Sequence, residues 1–185
     1  MDERAEKLET LRTIYPELVI NSQTSARLEL PIVLQNPLQV VDRDDATPKS
    51  EHERLCLVSH LPPLLLSFDL SEDYPTNALP AVKIAAMLAW LPDDVRSNLE
   101  AVALSLWEEY DHEQVLFTYI SHVQDASETG FGLERIFVSK EDMLQLLEYD
   151  RNANRVDFGK GSYECGICLT PSLAENDPPL LQWNK

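Results

Sequence analysis

At Pro92 the hydrophobic period of the sequence changes, and no other feature limits the fold as much. Before it, apolar residues alternate with polar ones. Leu28, Leu30, Ile32 and Leu34 share one face of a strand over Ser25–Leu34, and Leu64, Leu66, Phe68 and Leu70 share one face of a second. Val82 and Ile84 suggest a third strand, and Glu17–Asn21 a weaker one. Pro31 implies an edge position or a bulge, because proline cannot donate to a strand ladder. After Pro92 the spacing becomes helical, first with Val95, Leu99, Val102 and Leu106 and then with Val115, Leu116, Tyr119, Ile120 and Val123. Leu8, Leu11, Ile14 and Leu18 mark an opening helix from about Asp2 to Tyr15, which Pro16 cuts off. Residues 127–138 read as a short glycine-containing joint, and Ser139 caps a last helix through about Asp150. Asp42–Arg54 reads as an exposed loop. A helix, then strands, then helices is an α+β order and not a repeating βαβ one.

Charge and glycine placement remove whole classes of function. The 185 residues carry a formal net charge of −17, and 97–134 contain eight acids without a Lys or Arg. A phosphate backbone would be repelled, since its binding depends on Lys and Arg, so neither nucleic acid nor an anionic membrane is expected as a partner. The acidic face either meets a basic protein partner or is a solvated surface that aids solubility. All five glycines lie after residue 129, so 1–129 cannot hold a glycine-rich phosphate loop. Gly159-Lys160-Gly161-Ser162 lacks the glycine and lysine spacing of such a loop and reads as a flexible joint. No apolar run approaches the ~20 residues that span a bilayer. Three cysteines, two of them close together, make no disulfide framework, so a reducing compartment is expected, the cytoplasm or also the nucleus.

Candidate chemistry is sparse. His112-Glu113 begins like a zinc-protease motif, but Leu116 stands where the second histidine would be, so a surface or half-buried histidine on a helix is expected. Ser59-His60 and Ser121-His122 are adjacent pairs without a Gly-x-Ser-x-Gly elbow. Glu108 and Glu109, neighbours on a helix, diverge. Cys56 reads as a buried structural cysteine at a strand start. Cys165-Gly166-Ile167-Cys168 is the exception: two thiolates at this spacing form a zinc knuckle, half of a tetrahedral site. No Cys or His follows Cys168, so the metal site at Cys165 and Cys168 is incomplete.

Leu61-Pro62-Pro63, an alternating strand and Tyr74-Pro75-x4-Pro80 resemble the signature of RWD domains. Leu106-Trp107-Glu108 and Val115-Leu116-Phe117-Thr118-Tyr119-Ile120 resemble the paired helices that close the same family. The resemblance implies a fold similar to the ubiquitin-conjugating enzymes: an N-terminal helix, a four-stranded antiparallel meander and C-terminal helices on one face. Tyr74, Pro75 and Pro80 are expected to form a rigid corner in which the tyrosine ring packs and its hydroxyl finds a backbone partner. Cys56 precedes the central strand and the corner, whereas the active cysteine of the conjugating enzymes follows both, so no thioester chemistry is expected of it.

Leu147-Glu148-Tyr149-Asp150, a polar spacer and Tyr163-Glu164-Cys165-Gly166-Ile167-Cys168-Leu169 are similar to the entry into the first RING of RING-between-RING ubiquitin ligases with an N-terminal RWD domain. The resemblance implies an RWD domain over 1–130, a helical linker over 131–160 and an incomplete RING start over 161–185. It implies protein recognition in ubiquitination, with the catalytic part absent from the chain, zinc held only in a complete parent protein, and a ubiquitin-conjugating enzyme as partner only of the full ligase. The alternative is a free-standing RWD adaptor that binds a ribosome-associated translational-stress factor. The core is expected to set Leu28, Leu30, Leu66 and Phe68 against Val102, Leu106 and Leu116, and 151–185 to be a mobile tail with too few apolar groups for a core.

Overall fold

A computed structural model of the chain describes residues 3–43 and 56–160, with the side chains of 156–160 outside the description. Helix α1 (Glu3–Ile14) is followed by strands β1 (Val19–Ile20), β2 (Ser25–Asp42), β3 (Cys56–Asp69) and β4 (Ala81–Ala86). Helices α2 (Asp93–Glu109) and α3 (Leu116–Glu128) come next, then a 3₁₀ turn at Gly130–Gly132, strand β5 (Arg135–Val138) and helix α4 (Lys140–Lys160). β1, β2, β3 and β4 pair in that order as the expected antiparallel meander. The expected loop between β2 and β3 falls mostly on 44–55, outside the described residues.

The sheet differs from the expectation in two places. β2 does not stop at Leu34 but runs to Asp42, because its register against β3 shifts twice, between Leu30 and Ile32 and again between Val33 and Leu38. The first shift falls at Pro31, where it meets Pro62 and Pro63 of β3, which confirms the bulge. The second contains Pro37 and returns Leu38 and Val40 to the buried side. Prolines that would end a regular ladder are accommodated where the ladder is already broken. The second difference is β5. The stretch read as a joint over 127–138 contains a strand that pairs parallel with β2, from Gln39↔Arg135 to Asp42↔Val138. Four residues are too few for a period to show, but Ile136 and Val138 are fully buried.

One face of the sheet packs on the α2–α3 layer. Ala26, Leu28, Leu30, Leu64, Leu66 and Phe68 are buried there, and Phe68 meets Tyr119 of α3 edge to face with ring centroids 6.2 Å apart. On α2 the expected partners Val102 and Leu106 pack against the core half-buried, and Leu99 and Ala103 on the same helix face are its buried residues. On α3, Leu116 is buried as expected, together with Ile120 and Val123. In α1, Leu8 and Leu11 are buried, but Ile14, the last residue of the helix, is half exposed. The 3₁₀ turn after α3 needs Gly130, which has φ +62° and would bring a Cβ to 3.1 Å from Leu38.

Residues 131–160, expected as a helical linker, supply two elements that pack on the sheet. Ser139 caps α4 as expected, its Oγ accepting the Asp142 amide at 3.1 Å. The helix does not stop at Asp150 but continues to Lys160, so 151–160, read as part of a tail with a joint at Gly159, are helical, and the rest of that tail, 161–185, lies outside the described residues. Leu146 is fully buried, and Tyr149 lies by Arg27, Glu29 and Pro31, which stand on the face opposite Leu28 and Leu30. α4 therefore covers part of the second face.

Phe68 is completely buried, so Phe68→Ala should cost about 3–5 kcal/mol by chemical denaturation. A loss below about 1 kcal/mol would contradict the packing described.

Candidate functional site

Two sequence motifs that lie far apart in the chain meet at one corner. Tyr74 and Pro75, joined by a cis peptide, follow β3, and Trp107 lies in the last turns of α2. The Trp107 indole N–H donates to the Pro75 carbonyl at 2.7 Å, tying the end of α2 to the corner. Behind it the chain takes left-handed backbone at Asp111 and His112, and the His112 ring stacks on Trp107 with centroids 3.9 Å apart. His112 is thus a surface histidine as expected, but it stacks in a tight turn after α2 and does not lie on a helix, because the left-handed backbone at Asp111 and His112 has already ended it.

The expected backbone partner of the Tyr74 hydroxyl is not found. The phenol is buried and faces the Val115 backbone without reaching hydrogen-bond geometry. Its pKa is pushed up to about 12 because burial penalises the phenolate, an effect that the nearby Val115 backbone only partly offsets. Lys7 of α1 stands over the Tyr74 ring, 5.9 Å from its centroid. Tyr119 is better served, its hydroxyl donating to the Leu99 carbonyl at 3.1 Å. Its pKa is raised further, by burial first and then by the charge of Glu100.

Several acids and histidines are spent on structure. Glu100 accepts the Ile84 amide at 2.8 Å and so holds edge strand β4 against α2. Asp150 Oδ1 accepts the backbone amides of both Ser59 and His60 at 2.8 Å, and His60 Nδ1 lies 3.3 Å away. The pairing of β4 with β3 begins only at Leu64, so these amides have no strand neighbour on that side and α4 supplies the acceptor. Ser59 and His60 therefore belong to a clamp between helix and sheet, a role for which neighbouring residues carry no signal. Glu108, Glu109, Asp111, Glu113, Asp125, Glu128 and Glu134 are exposed, making the α2–α3 side strongly negative.

Among the described residues no group of three or more His, Cys, Asp or Glu could hold a metal ion, and no helix is long and apolar enough to cross a membrane. Cys56 lies at the start of β3 as expected, but it is half-buried where a buried cysteine was expected. Cys165 and Cys168 lie outside the described residues. What the described part offers is surface, held by a corner in which Tyr74, Pro75 and Trp107 meet. Residues 2–127, from α1 through α3, match the RWD domain family.

The chain belongs to the RWD domain family.

Its relatives extend the likeness. The E3 ubiquitin-protein ligase itt1 of Schizosaccharomyces pombe is 30% identical over 171 residues, covering 89% of this chain and 38% of that protein. The E3 ubiquitin-protein ligase RNF14 of Danio rerio is 29% identical over 211 residues, covering 92% of this chain and 45% of that protein. The chain thus spans less than half the length of these relatives. No solved structure matches it. The RWD corner motif was legible in the sequence, but the hydrogen bond from Trp107 that secures it was not.

Two predictions test the corner. Trp107→Phe keeps an aromatic ring against His112 and removes only the bond to Pro75, so it should cost about 1 kcal/mol in chemical denaturation. No change would mean the bond does not secure the corner. Tyr74 gives a pH dependence. Its phenol ionises near pH 10 when unfolded and near 12 when folded, so between them the unfolded state binds fewer protons. Its contribution to stability is complete below pH 10 and is lost as pH rises towards 12, by roughly 2 kcal/mol. Tyr74→Phe should remove that part of the alkaline loss in urea denaturation while leaving stability at neutral pH equal or higher, because the hydroxyl makes no hydrogen bond.

Proposed function

We propose that the chain is the protein-recognition part of a RING-between-RING ubiquitin ligase and performs no chemistry of its own. One observation carries this reading. The likeness to the fission-yeast ligase covers 89% of 185 residues, about 165, whereas the RWD match spans only 2–127. It therefore runs on through residues that an isolated RWD domain does not need. The Cys-x-x-Cys pair at Cys165 and Cys168 then reads as the first two zinc ligands of a RING, with Gly166 allowing the turn between them.

In this reading the parent ligase works in the cytosol or nucleus, takes ubiquitin from a conjugating enzyme, and uses the RWD domain to reach its target or a ribosome-associated partner. Zinc belongs to the complete site. Two thiolates leave the ion with open positions, and each must lose a proton to bind, so this chain alone holds zinc weakly. A free-standing RWD adaptor has no observation of its own in its favour.

The test is the transcript beyond Lys185, which should supply the remaining RING ligands in the same frame. A stop codon directly after Lys185 would overturn the ligase reading. The purified 185-residue chain, given ubiquitin, its activating enzyme, a conjugating enzyme and ATP, should form no reductant-sensitive adduct. A thioester on Cys56, Cys165 or Cys168 would refute the assignment of recognition alone.

A further inference from the structure

A groove of about 440 Å³ runs between α1 and the start of α3. Leu11 and Leu116, both buried, form part of its lining, and Ile14 and Phe117 stand along it half exposed, at 51% and 52%. One side of Phe117 packs against Tyr15, with ring centroids 6.2 Å apart. Two large side chains left in water beside a groove of ligand size are a mark of recognition.

The charge along the groove selects the occupant. Glu3 and Glu6 line it, and the one cation there, Lys7, is drawn to Glu3 at 2.6 Å and over the Tyr74 ring. The α3 side belongs to the stretch over 97–134 that has no Lys or Arg, in a chain of net charge −17. An acidic partner or an anionic membrane would be repelled, and a basic one steered in. The walls are helices whose backbone groups bond within themselves, so an added strand would find no ladder. A helix laid in the groove needs none, because it satisfies its own backbone and offers one apolar face.

We propose that the groove between α1 and α3 docks a basic amphipathic helix of a partner protein, with Ile14 and Phe117 gripping its apolar face and Glu3 and Glu6 its flanking Lys or Arg. This deepens the recognition reading above and rests on it.

The probe is a fluorescein-labelled helical peptide of about 15 residues, with Leu at i, i+3, i+4 and i+7 and Lys elsewhere, titrated with the full chain at about 0.15 M salt. Its counterpart carries Glu in place of Lys. Saturable binding of the Leu-Lys peptide, at least about tenfold tighter than the Leu-Glu one, is expected. Phe117→Ser and Ile14→Ser should each weaken it by about tenfold, and Glu6→Gln should weaken it less and flatten its salt dependence. Met87→Ser and Leu104→Ser change exposed apolar residues outside the groove lining and should leave binding unchanged. Circular dichroism checks that each variant is folded, and amide chemical shifts report which helices the peptide meets. Absence of binding, equal binding of both peptides, wild-type affinity in Phe117→Ser and Ile14→Ser, or equal loss in Met87→Ser would each overturn the proposal. The reading frame beyond Lys185 decides the ligase reading separately, so failure of the groove alone leaves that reading standing.

Discussion

Strand β2 is the axis on which the other elements depend. Over eighteen residues it pairs with β1 near its start, with β5 near its end and with β3 along its other edge. Backbone N–H and C=O groups must find partners when buried, and β2 supplies them for three neighbours at once. It reaches that length only by changing register twice, since Pro31 and Pro37 could not sit in an unbroken ladder. Other parts of the chain complete the sheet where strands are missing or crowded. Asp150 takes the Ser59 and His60 amides on the side that β4 does not reach, and Gly130 passes close to Leu38 where a Cβ would crowd it.

The helical layer is fixed to this sheet by few polar contacts and much apolar burial. Tyr119 packs on Phe68 and bonds Leu99, Glu100 holds β4 by the Ile84 amide, and Trp107 bonds Pro75. Each contact joins a helix to a different element, so α2 and α3 cannot slide on the sheet without breaking one. Glu100 and Asp150 are committed to this framework. The described part is a scaffold that presents surface, as expected of an RWD domain that works by binding proteins.

That surface is divided by charge. The α2–α3 side is acidic through residues whose carboxylates face water, while apolar side chains such as Ile14 and Phe117 remain exposed at the joint with α1. Acidic charge steers a partner over distance, and apolar contact gives affinity once water is excluded, so the two belong together at an interface. The parallel strand β5 and helix α4 add a further layer after the RWD boundary at residue 127, and the likeness to ubiquitin ligases also passes that boundary.

The sequence by itself determined the α+β order, the Ser139 cap and an irregularity at Pro31, because each is written in neighbouring residues by period, capping or proline chemistry, and its RWD motifs implied the meander. The tertiary structure alone decided what those neighbours meet. β5 was hidden because four residues carry no readable period, and its partner on β2 lies some 96 positions away, from Gln39 to Arg135. Leu99, Val102 and Leu106 mark the inward face of α2 by their spacing, but only the position of the sheet decides that Leu99 and Ala103 are buried more deeply than Val102 and Leu106. Trp107 and Pro75, and Asp150 and Ser59, find each other only after folding closes the chain, and Ile14 and Phe117 come to line one groove that neither segment contains. Local sequence sets which conformations are cheap, but a contact between distant residues depends on the path of everything between them.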